Sequence, residues 1–163
     1  MRSLGFPGCL AVVGAMALAS CTVGRVPGAA APEAAAASRA EVPDGGFGAL
    51  LNAQRAAAGL PAATPDARLT AAAQAHAADM VTRDYFSHTS PEGRSSADRI
   101  RAAGYDTCRP SENIAFGQMS ETAVFQGWIN SPGHRANMLM RGPVQYGLGM
   151  AGTKHVLVVA GVC

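Results

Sequence analysis

Residues 128–139, W-I-N-S-P-G-H-R-A-N-M-L, decide the fold of this chain. Ser131 followed by Pro132 predicts a helix that begins at the proline, because proline at the first helical position loses no needed N–H donor and already has a helical φ. This places His134 in the first helical turn, where the positive end of the helix dipole disfavours the imidazolium form. A neutral ring there can bind a metal or accept a proton. Taken alone, the stretch also fits an ordinary corner between two helices with an exposed histidine.

Helices and strands are predicted on both sides of this corner. Helical segments show apolar residues at helical spacing and end at Ser, Gly or Pro, and strand segments show alternating or continuous apolar residues. The predicted helices cover residues 47–58, 64–85, 95–104 and 120–129, and a short one runs from 132 to the Gly-Pro pair at 142–143. The predicted strands cover residues 111–117, 146–151 and 156–162.

The last two predicted strands differ in their faces. Along residues 146–151, large side chains alternate with Gly, Gly and Ala, so the small face would let another backbone approach closely. Residues 156–162 are almost continuously apolar, which is typical of a central strand covered on both sides. His155, beside the predicted hairpin between these strands, is expected at the surface.

Three further titratable residues bear on chemistry. His88 lies on an irregular segment that Pro91 and Gly93 mark as a turn, and loop residues on a rigid scaffold often carry function. Glu112 stands at the start of a predicted strand, and an ordinary carboxylate exposed to solvent is the alternative interpretation of this residue. His76 shares the apolar face of the second helix, and a histidine there is more often a hydrogen-bonded packing residue than a ligand.

Residues 1–20 are predicted to be a signal peptide for export. Arg2 supplies a short positive region, and the apolar run at 10–18 is too short to span a bilayer. L-A-S-C at 18–21 resembles the lipobox of bacterial lipoproteins, in which the cysteine is lipidated and becomes the first residue of the mature chain. Cys21 is therefore the expected membrane anchor, and an ordinary signal peptide cut nearby is the alternative.

Residues 21–46 are predicted to form the lipidated cysteine and a flexible tether behind it. They are rich in Ala, Pro and Gly and contain almost no large apolar side chain, so they cannot bury enough surface to offset the entropy of ordering. Thr22, in place of an aspartate next to the lipidated cysteine, favours sorting to the outer membrane if the host has one. Anchor and tether together predict a domain held just off a membrane of the cell envelope.

The folded domain is predicted over residues 47–163, which is long enough for one hydrophobic core. The 163-residue chain has a net charge of only +2. Because both signs are interspersed, the composition gives no basis for a nucleic-acid partner. We expect the domain to be a monomer.

Four segments follow one another along this domain: F-S-H-T-S-P-E-G at 86–93, E-N-I-A at 112–115, the stretch at 128–139, and Y-G-L-G-M-A at 146–151. With them, residues 47–162 resemble the bacterial SCP-like branch of the CAP superfamily, which includes cysteine-rich secretory proteins, insect antigen 5 and plant pathogenesis-related proteins. The resemblance implies an α+β fold, a three-layer α-β-α sandwich with a small antiparallel sheet between helices.

The resemblance also implies a cleft. The family's two cleft histidines correspond to His88 and His134 and one of its two acids to Glu112, while Ser131 stands where many eukaryotic members have the second acid. Two neutral imidazoles and one carboxylate are a ligand set that zinc accepts, with a fourth position open for water. We therefore expect weak, exchangeable Zn²⁺ at these three residues. A serine-type triad of Ser131 or Ser87 with His134 and Glu112 is the less favoured alternative, because no nucleophile-elbow motif surrounds either serine.

Three functions are compatible with this cleft. The favoured one is a binding module of the cell envelope that engages a protein, glycan or lipid ligand. The alternative is a metal-dependent hydrolase acting on envelope peptides or glycans. The third is a structural domain whose His/Glu cluster only stabilises the cleft.

A disulfide is predicted between two of the four cysteines. Cys9 leaves with the signal peptide and Cys21 carries the lipid, so Cys108 and Cys163 remain as thiols in an oxidising compartment. They flank the first and last predicted strands, which makes their adjacency in one sheet plausible.

Overall fold

The computed structural model describes residues 46–117 and 120–163. The predicted signal peptide, the lipidated Cys21 and the tether lie outside these residues. Within them, five helices and four strands follow one another along the chain. Their bounds are α1 Phe47–Ala57, β1 Thr64–Pro65, α2 Ala67–Thr82, α3 Ser96–Ala102, β2 Arg109–Phe116, α4 Glu121–Ile129, α5 Pro132–Met138, β3 Val144–Ala151 and β4 Lys154–Gly161.

The sheet has the order β1-β3-β4-β2, and both long neighbours of β4 run antiparallel to it. Apolar clusters cover both of its faces. One joins α1, α4 and α5 to the sheet, and the other joins α2 and α3 to it. The predicted three-layer α-β-α architecture is therefore confirmed.

The sheet is not wholly antiparallel, and the second helix begins later than predicted. Thr64 and Pro65 form the short strand β1, which pairs in parallel with Gln145 and Tyr146 of β3. Asp66 is the N-cap of α2, because its carboxylate accepts hydrogen bonds from the first-turn backbone N–H groups. Residue 65 is thus held in an extended pair instead of the first helical turn.

The small face of β3 receives the backbone of α2. A Cβ atom added to Gly147 would overlap the backbone of Leu69 and Thr70, and one added to Gly149 would overlap that of Ala73 and Gln74. The predicted close approach is therefore present. It fixes α2, the helix that carries His76, against the centre of the sheet.

Strand β4 is buried along its whole length, as the apolar pattern predicts. The expectation that His155 lies at the surface is wrong, since it is only 2% exposed. It is the second residue of a strand with helices on both faces, so its side chain is covered although the hairpin turn is close. Burial lowers the pKa of His155, and the nearby carboxylate of Glu121 partly opposes this effect.

The buried Arg55 holds the end of α5 in place, a role that no sequence pattern predicts. Its guanidinium donates to the carbonyl oxygens of Pro61, Met138, Met140 and Gly142, at 2.8 to 3.1 Å. One α1 side chain thereby satisfies the carbonyl of Met138, the last residue of α5, and two carbonyls of the segment that follows this helix. Because α5 carries His134, Arg55 contributes to the geometry of the site.

The predicted disulfide between Cys108 and Cys163 is present, with their Cα atoms 5.6 Å apart. It joins Cys108, directly before β2, to Cys163, the last residue of the sequence. In the two described ranges, no helix combines the length and the apolar character needed to cross a bilayer.

Candidate functional site

Glu112 is the centre of the candidate site. The strand β2 carries its side chain into the protein, where only 3% of it is exposed. Its Oε1 atom accepts a hydrogen bond from His88 Nδ1 at 2.8 Å, and its Oε2 atom accepts one from Arg99 Nη2 at 2.6 Å. His88 and Glu112, two of the three residues expected in the cleft, are therefore in contact. Both carboxylate oxygens have a protein partner.

Arg99 organises the segment that carries His88. Besides binding Glu112, its guanidinium donates to the backbone carbonyls of His88 at 3.0 Å and Arg94 at 2.9 Å. The helix α3 presents this side chain because a capping box of Ser95 and Asp98 starts the helix one turn earlier. No motif in the sequence marks Arg99, although a buried carboxylate usually requires a counter-charge.

His88 directs its second ring nitrogen outward. A carboxylate can only accept hydrogen bonds, so the Nδ1 atom that faces Glu112 carries the proton. The Nε2 atom is then the acceptor nitrogen of the neutral ring, on a side chain that is 54% exposed. This is the arrangement in which an outer carboxylate orients a metal-binding histidine. In this geometry Glu112 acts as the partner of His88 and does not offer a free oxygen as a third ligand.

His134 lies in the first turn of α5 and is partly buried. Burial is the main cause that lowers its pKa, and repulsion from the protonated form of His88 adds to the effect. The two rings are thus close enough for their charges to interact. Among residues 46–117 and 120–163, no hydrogen-bond partner of the His134 ring is found, so its nitrogens remain available.

Two asparagines dock α5 onto β2 and so position His134 relative to Glu112. Asn113 is fully buried and donates to the carbonyl oxygen of His134 at 3.1 Å. Asn137 donates to Asn113 Oδ1 at 2.8 Å and to the carbonyl oxygen of Glu112 at 3.3 Å. Asn113 belongs to the E-N-I-A segment and Asn137 to the stretch at 128–139, so contacts between these two segments hold α5 against β2. Ser131 occupies the N-cap position of α5, but its side chain forms no capping hydrogen bond, and Pro132 is the first helical residue.

His76 is a buried neighbour of the site. Its Nε2 atom lies 3.0 Å from the carbonyl oxygen of Ser87 and 3.8 Å from Glu112 Oε1. The carbonyl can only accept, so Nε2 carries the proton of the neutral ring. Burial lowers the pKa of His76 and outweighs the opposing charge of Glu112. The predicted role as a hydrogen-bonded packing residue is confirmed, and the contact with Glu112 is an addition to it.

The cleft offers a metal two imidazole nitrogens and few further ligands. Within the described part of the chain, no three His, Cys, Asp or Glu side chains are grouped as metal ligands. The serine triad also lacks its contacts there, since neither Ser87 nor Ser131 has a hydrogen bond to His134. The cleft therefore presents His88 and His134 to a ligand, with Glu112 and Arg99 behind them.

A three-layer sandwich with this cleft defines an SCP-like domain. Residues 49–163 match the family model described as the cysteine-rich secretory protein family, CAP, and the chain belongs to this family. Two proteins of Bacillus subtilis are similar to it. The uncharacterized protein YkwD is 37% identical over 100 residues, and the uncharacterized membrane protein YlbC is 34% identical over 101 residues.

These similarities cover only part of each relative. They include 61% and 62% of this chain but 39% of YkwD and 29% of YlbC. Among solved structures, an extracellular protein of Bacillus anthracis that contains a SCP domain is similar, with a TM-score of 0.68 and 30% identity over 71% of this chain and 39% of that one. An outer surface protein of Borrelia burgdorferi shares the fold, with a TM-score of 0.62 and 18% identity over 71% of this chain and 89% of that one.

Proposed function

We propose that this protein is exported, is held in the cell envelope by a lipid on Cys21, and uses the cleft at His88, Glu112 and His134 to bind an envelope ligand. The observation that carries the proposal is that the carboxylate of Glu112 is fully engaged in hydrogen bonds. Both of its oxygens already accept hydrogen bonds, from His88 and Arg99. A carboxylate engaged in this way is a poor general base for a substrate, whereas the imidazole nitrogens in front of it remain free to bind.

Export is supported by the sequence and by one relative. The first 20 residues have the pattern of a signal peptide, and the similar Bacillus anthracis protein is described as extracellular. The Cys108–Cys163 disulfide fits an oxidising compartment. The L-A-S-C segment supports the finer proposal of a lipid anchor at Cys21.

The ligand would be an envelope protein, glycan or lipid that offers hydrogen-bonding groups to two neutral imidazoles. A divalent metal such as Zn²⁺ is proposed as a weak, exchangeable addition. His88 and His134 would hold it, and Glu112 would orient His88 through the Nδ1 proton. With few protein ligands, the metal would keep exchangeable positions for water or for the envelope ligand.

Capture from envelope extract tests the binding function. The purified wild-type chain should retain an envelope component that the His88→Ala/His134→Ala variant does not retain. Arg141→Ala is the matched control, because this exposed residue lies outside the cleft and should retain the component like the wild type. Equal retention by all three chains would place any binding elsewhere on the domain.

The metal-dependent hydrolase remains a second candidate, because a carboxylate that orients a histidine is also found behind catalytic zinc. Turnover of an envelope peptide or glycan, dependent on added zinc and lost in His134→Ala, would favour it. Capture without turnover favours the binding module.

A further inference from the structure

A cavity of about 440 Å³ lies between α2 and α3. Alanines form much of its wall, with Ala71, Ala72 and Ala75 on α2 and Ala102 and Ala103 at the end of α3. Methyl groups are short, so they leave space between the two helices that longer side chains would fill. The volume falls within the range of small-molecule sites, which is roughly 300–1,000 Å³.

The cavity has an apolar end and a polar end, because the two helices run in opposite directions. Arg68, at the start of α2, donates to the carbonyl oxygen of Gly104, just after α3, at 3.3 Å. At the other end, Arg83 follows α2 and forms an ion pair with Glu92, which precedes α3. The alanines therefore lie toward the first end of the cavity, and its charged residues lie toward the second.

The polar end carries a positive charge that no acid balances. The carboxylate of Asp79 lines this end, but it already accepts a hydrogen bond from the hydroxyl of Tyr85 and lies 3.7 Å from the guanidinium of Arg83. Arg94 also lines it and is exposed. In the two described ranges, the guanidinium of Arg94 has neither an ion pair nor a hydrogen bond. The free charge at this end is therefore a cation.

Arg99 adds a second donor to the polar end. Its two terminal nitrogens donate to Glu112 and to the backbone carbonyls of His88 and Arg94. Its Nε–H group has no hydrogen-bond partner among the residues that the structure describes. Since Arg99 lines the cavity, this group can donate to a ligand there.

We propose that this cavity binds a small organic carboxylate with a short aliphatic body. The carboxylate would accept hydrogen bonds from Arg94 and Arg99, because guanidinium groups match the geometry and charge of carboxylates. The aliphatic body would pack against the alanines and leave water. The site is separate from the imidazoles of His88 and His134, so the inference does not depend on the proposed function.

Nuclear magnetic resonance of the alanine methyl groups tests this site, with hexanoate as the probe. The purified chain, isotope-labelled at these methyl groups, is titrated at neutral pH. The signals of Ala75 and Ala102 should shift and saturate with a Kd of about 1 mM, as expected for a ligand of this size. Ala63 packs in the cluster on the other face of the sheet and should not respond. Hexylammonium and hexanol have a similar body but no negative charge, and should bind at least about tenfold more weakly.

Three variants test which side chains bind the probe. Arg94→Gln should raise the Kd for hexanoate about fivefold, since the exposed cation is lost without a change in packing. Ala75→Leu should remove binding by filling the space between the helices, and leucine is compatible with this exposed helical position. Arg101→Gln is the control, because this exposed cation of α3 lies outside the cavity and its loss should leave the Kd unchanged.

The absence of a saturable shift at Ala75 and Ala102, or equal binding of hexanoate and hexylammonium, would overturn the proposal. A shift confined to Ala136 of α5 would also overturn it, since the carboxylate would then lie at the cleft. Acetyl-alanyl-alanine distinguishes two sources of the same chemistry. Binding at the same methyl groups that is tighter than that of hexanoate would support a peptide C-terminus as the carboxylate, and weaker binding would support a free aliphatic acid.

Discussion

Arg99 and Glu112 form a buried ion pair, with 2.6 Å between Nη2 and Oε2 and only 11% and 3% of the two side chains exposed. The pair joins α3 to β2, and the same guanidinium holds the backbone of His88. A single interaction thus fixes both the carboxylate and the loop histidine of the cleft.

Replacing Arg99 should destabilise the domain strongly. Arg99→Met leaves Glu112 buried without its counter-charge, which should cost about 3 kcal/mol in the free energy of unfolding. Denaturant unfolding measures the loss, and Arg101→Met is the control, since its side chain is 59% exposed and should change stability by less than about 0.5 kcal/mol. In the Arg99→Met/Glu112→Gln double variant, part of this loss in the free energy of unfolding should be recovered. A loss in the double variant equal to the sum of the losses in the two single variants would show that the two residues are not coupled.

A methyl group on the small face of β3 should separate the sheet from α2. Gly149→Ala places its Cβ atom against the backbone of Ala73 and Gln74, which cannot move aside as a side chain can. We expect a loss of roughly 2–3 kcal/mol by denaturant unfolding. Gly127→Ala in α4 meets nothing within 4 Å and should stabilise the helix by up to about 1 kcal/mol. Similar effects of the two substitutions would be inconsistent with the close approach.

The stability of the domain should fall as pH decreases below neutrality. Burial lowers the pKa of His76, His134 and His155 in the folded state. Below the unfolded value near 6.5, the unfolded chain takes up protons that the folded chain does not. Stability that is fully present above about pH 6.5 is therefore lost as the pH falls toward the lowered pKa values, by at most about 1.4 kcal/mol per pH unit for each histidine.

Unfolding free energies between about pH 5.5 and 7.5 measure this slope. His76→Gln is the matched variant, because its amide nitrogen can still donate to Ser87 but does not titrate. It should show a smaller slope than the wild type. A wild-type stability that is constant or rises as pH falls through this range would argue against a lowered pKa of His76, His134 and His155 in the folded state.

Metabolic labelling tests the anchor. A palmitate analogue should label the wild-type chain in its native host and should not label Cys21→Ala, because the proposed lipid is attached to that thiol. The Cys163→Ala chain is the control for the loss of an unrelated cysteine and should still be labelled. Persistent labelling of Cys21→Ala would show that lipid is attached elsewhere.

Much of the fold was predictable because the signals are local. The glycine face of β3 and the continuous apolar run of β4 depend only on neighbouring residues and appear in the structure. The strand β1 was not predictable, since two residues form it only by pairing with β3. The burial of His155 depends on the helices that pack on both faces of the sheet, which no local pattern reports.

The site was predictable only in part for the same reason. The resemblance identified His88 and Glu112, which contact each other, and His134, which lies close enough to His88 for their charges to interact. The roles of Arg99 and His76 arise from packing between α2, α3 and β2, which spacing within one helix cannot reveal. The expected zinc set counted Glu112 as a ligand beside the two histidines, whereas both of its oxygens accept hydrogen bonds, from His88 and from Arg99.

The central claim is that His88 and His134 form one binding site that Glu112 orients, and calorimetric titration with zinc as a probe tests it most directly. Both rings must be unprotonated to bind, so affinity should rise as the pH increases from about 5.5 to about 7.5. His88→Ala and His134→Ala should each lower affinity severalfold or more, and Glu112→Gln should lower it without abolishing binding. No zinc binding at any pH, or equal binding by the His88→Ala/His134→Ala variant, would contradict the claim and leave the cluster as a structural feature of the cleft.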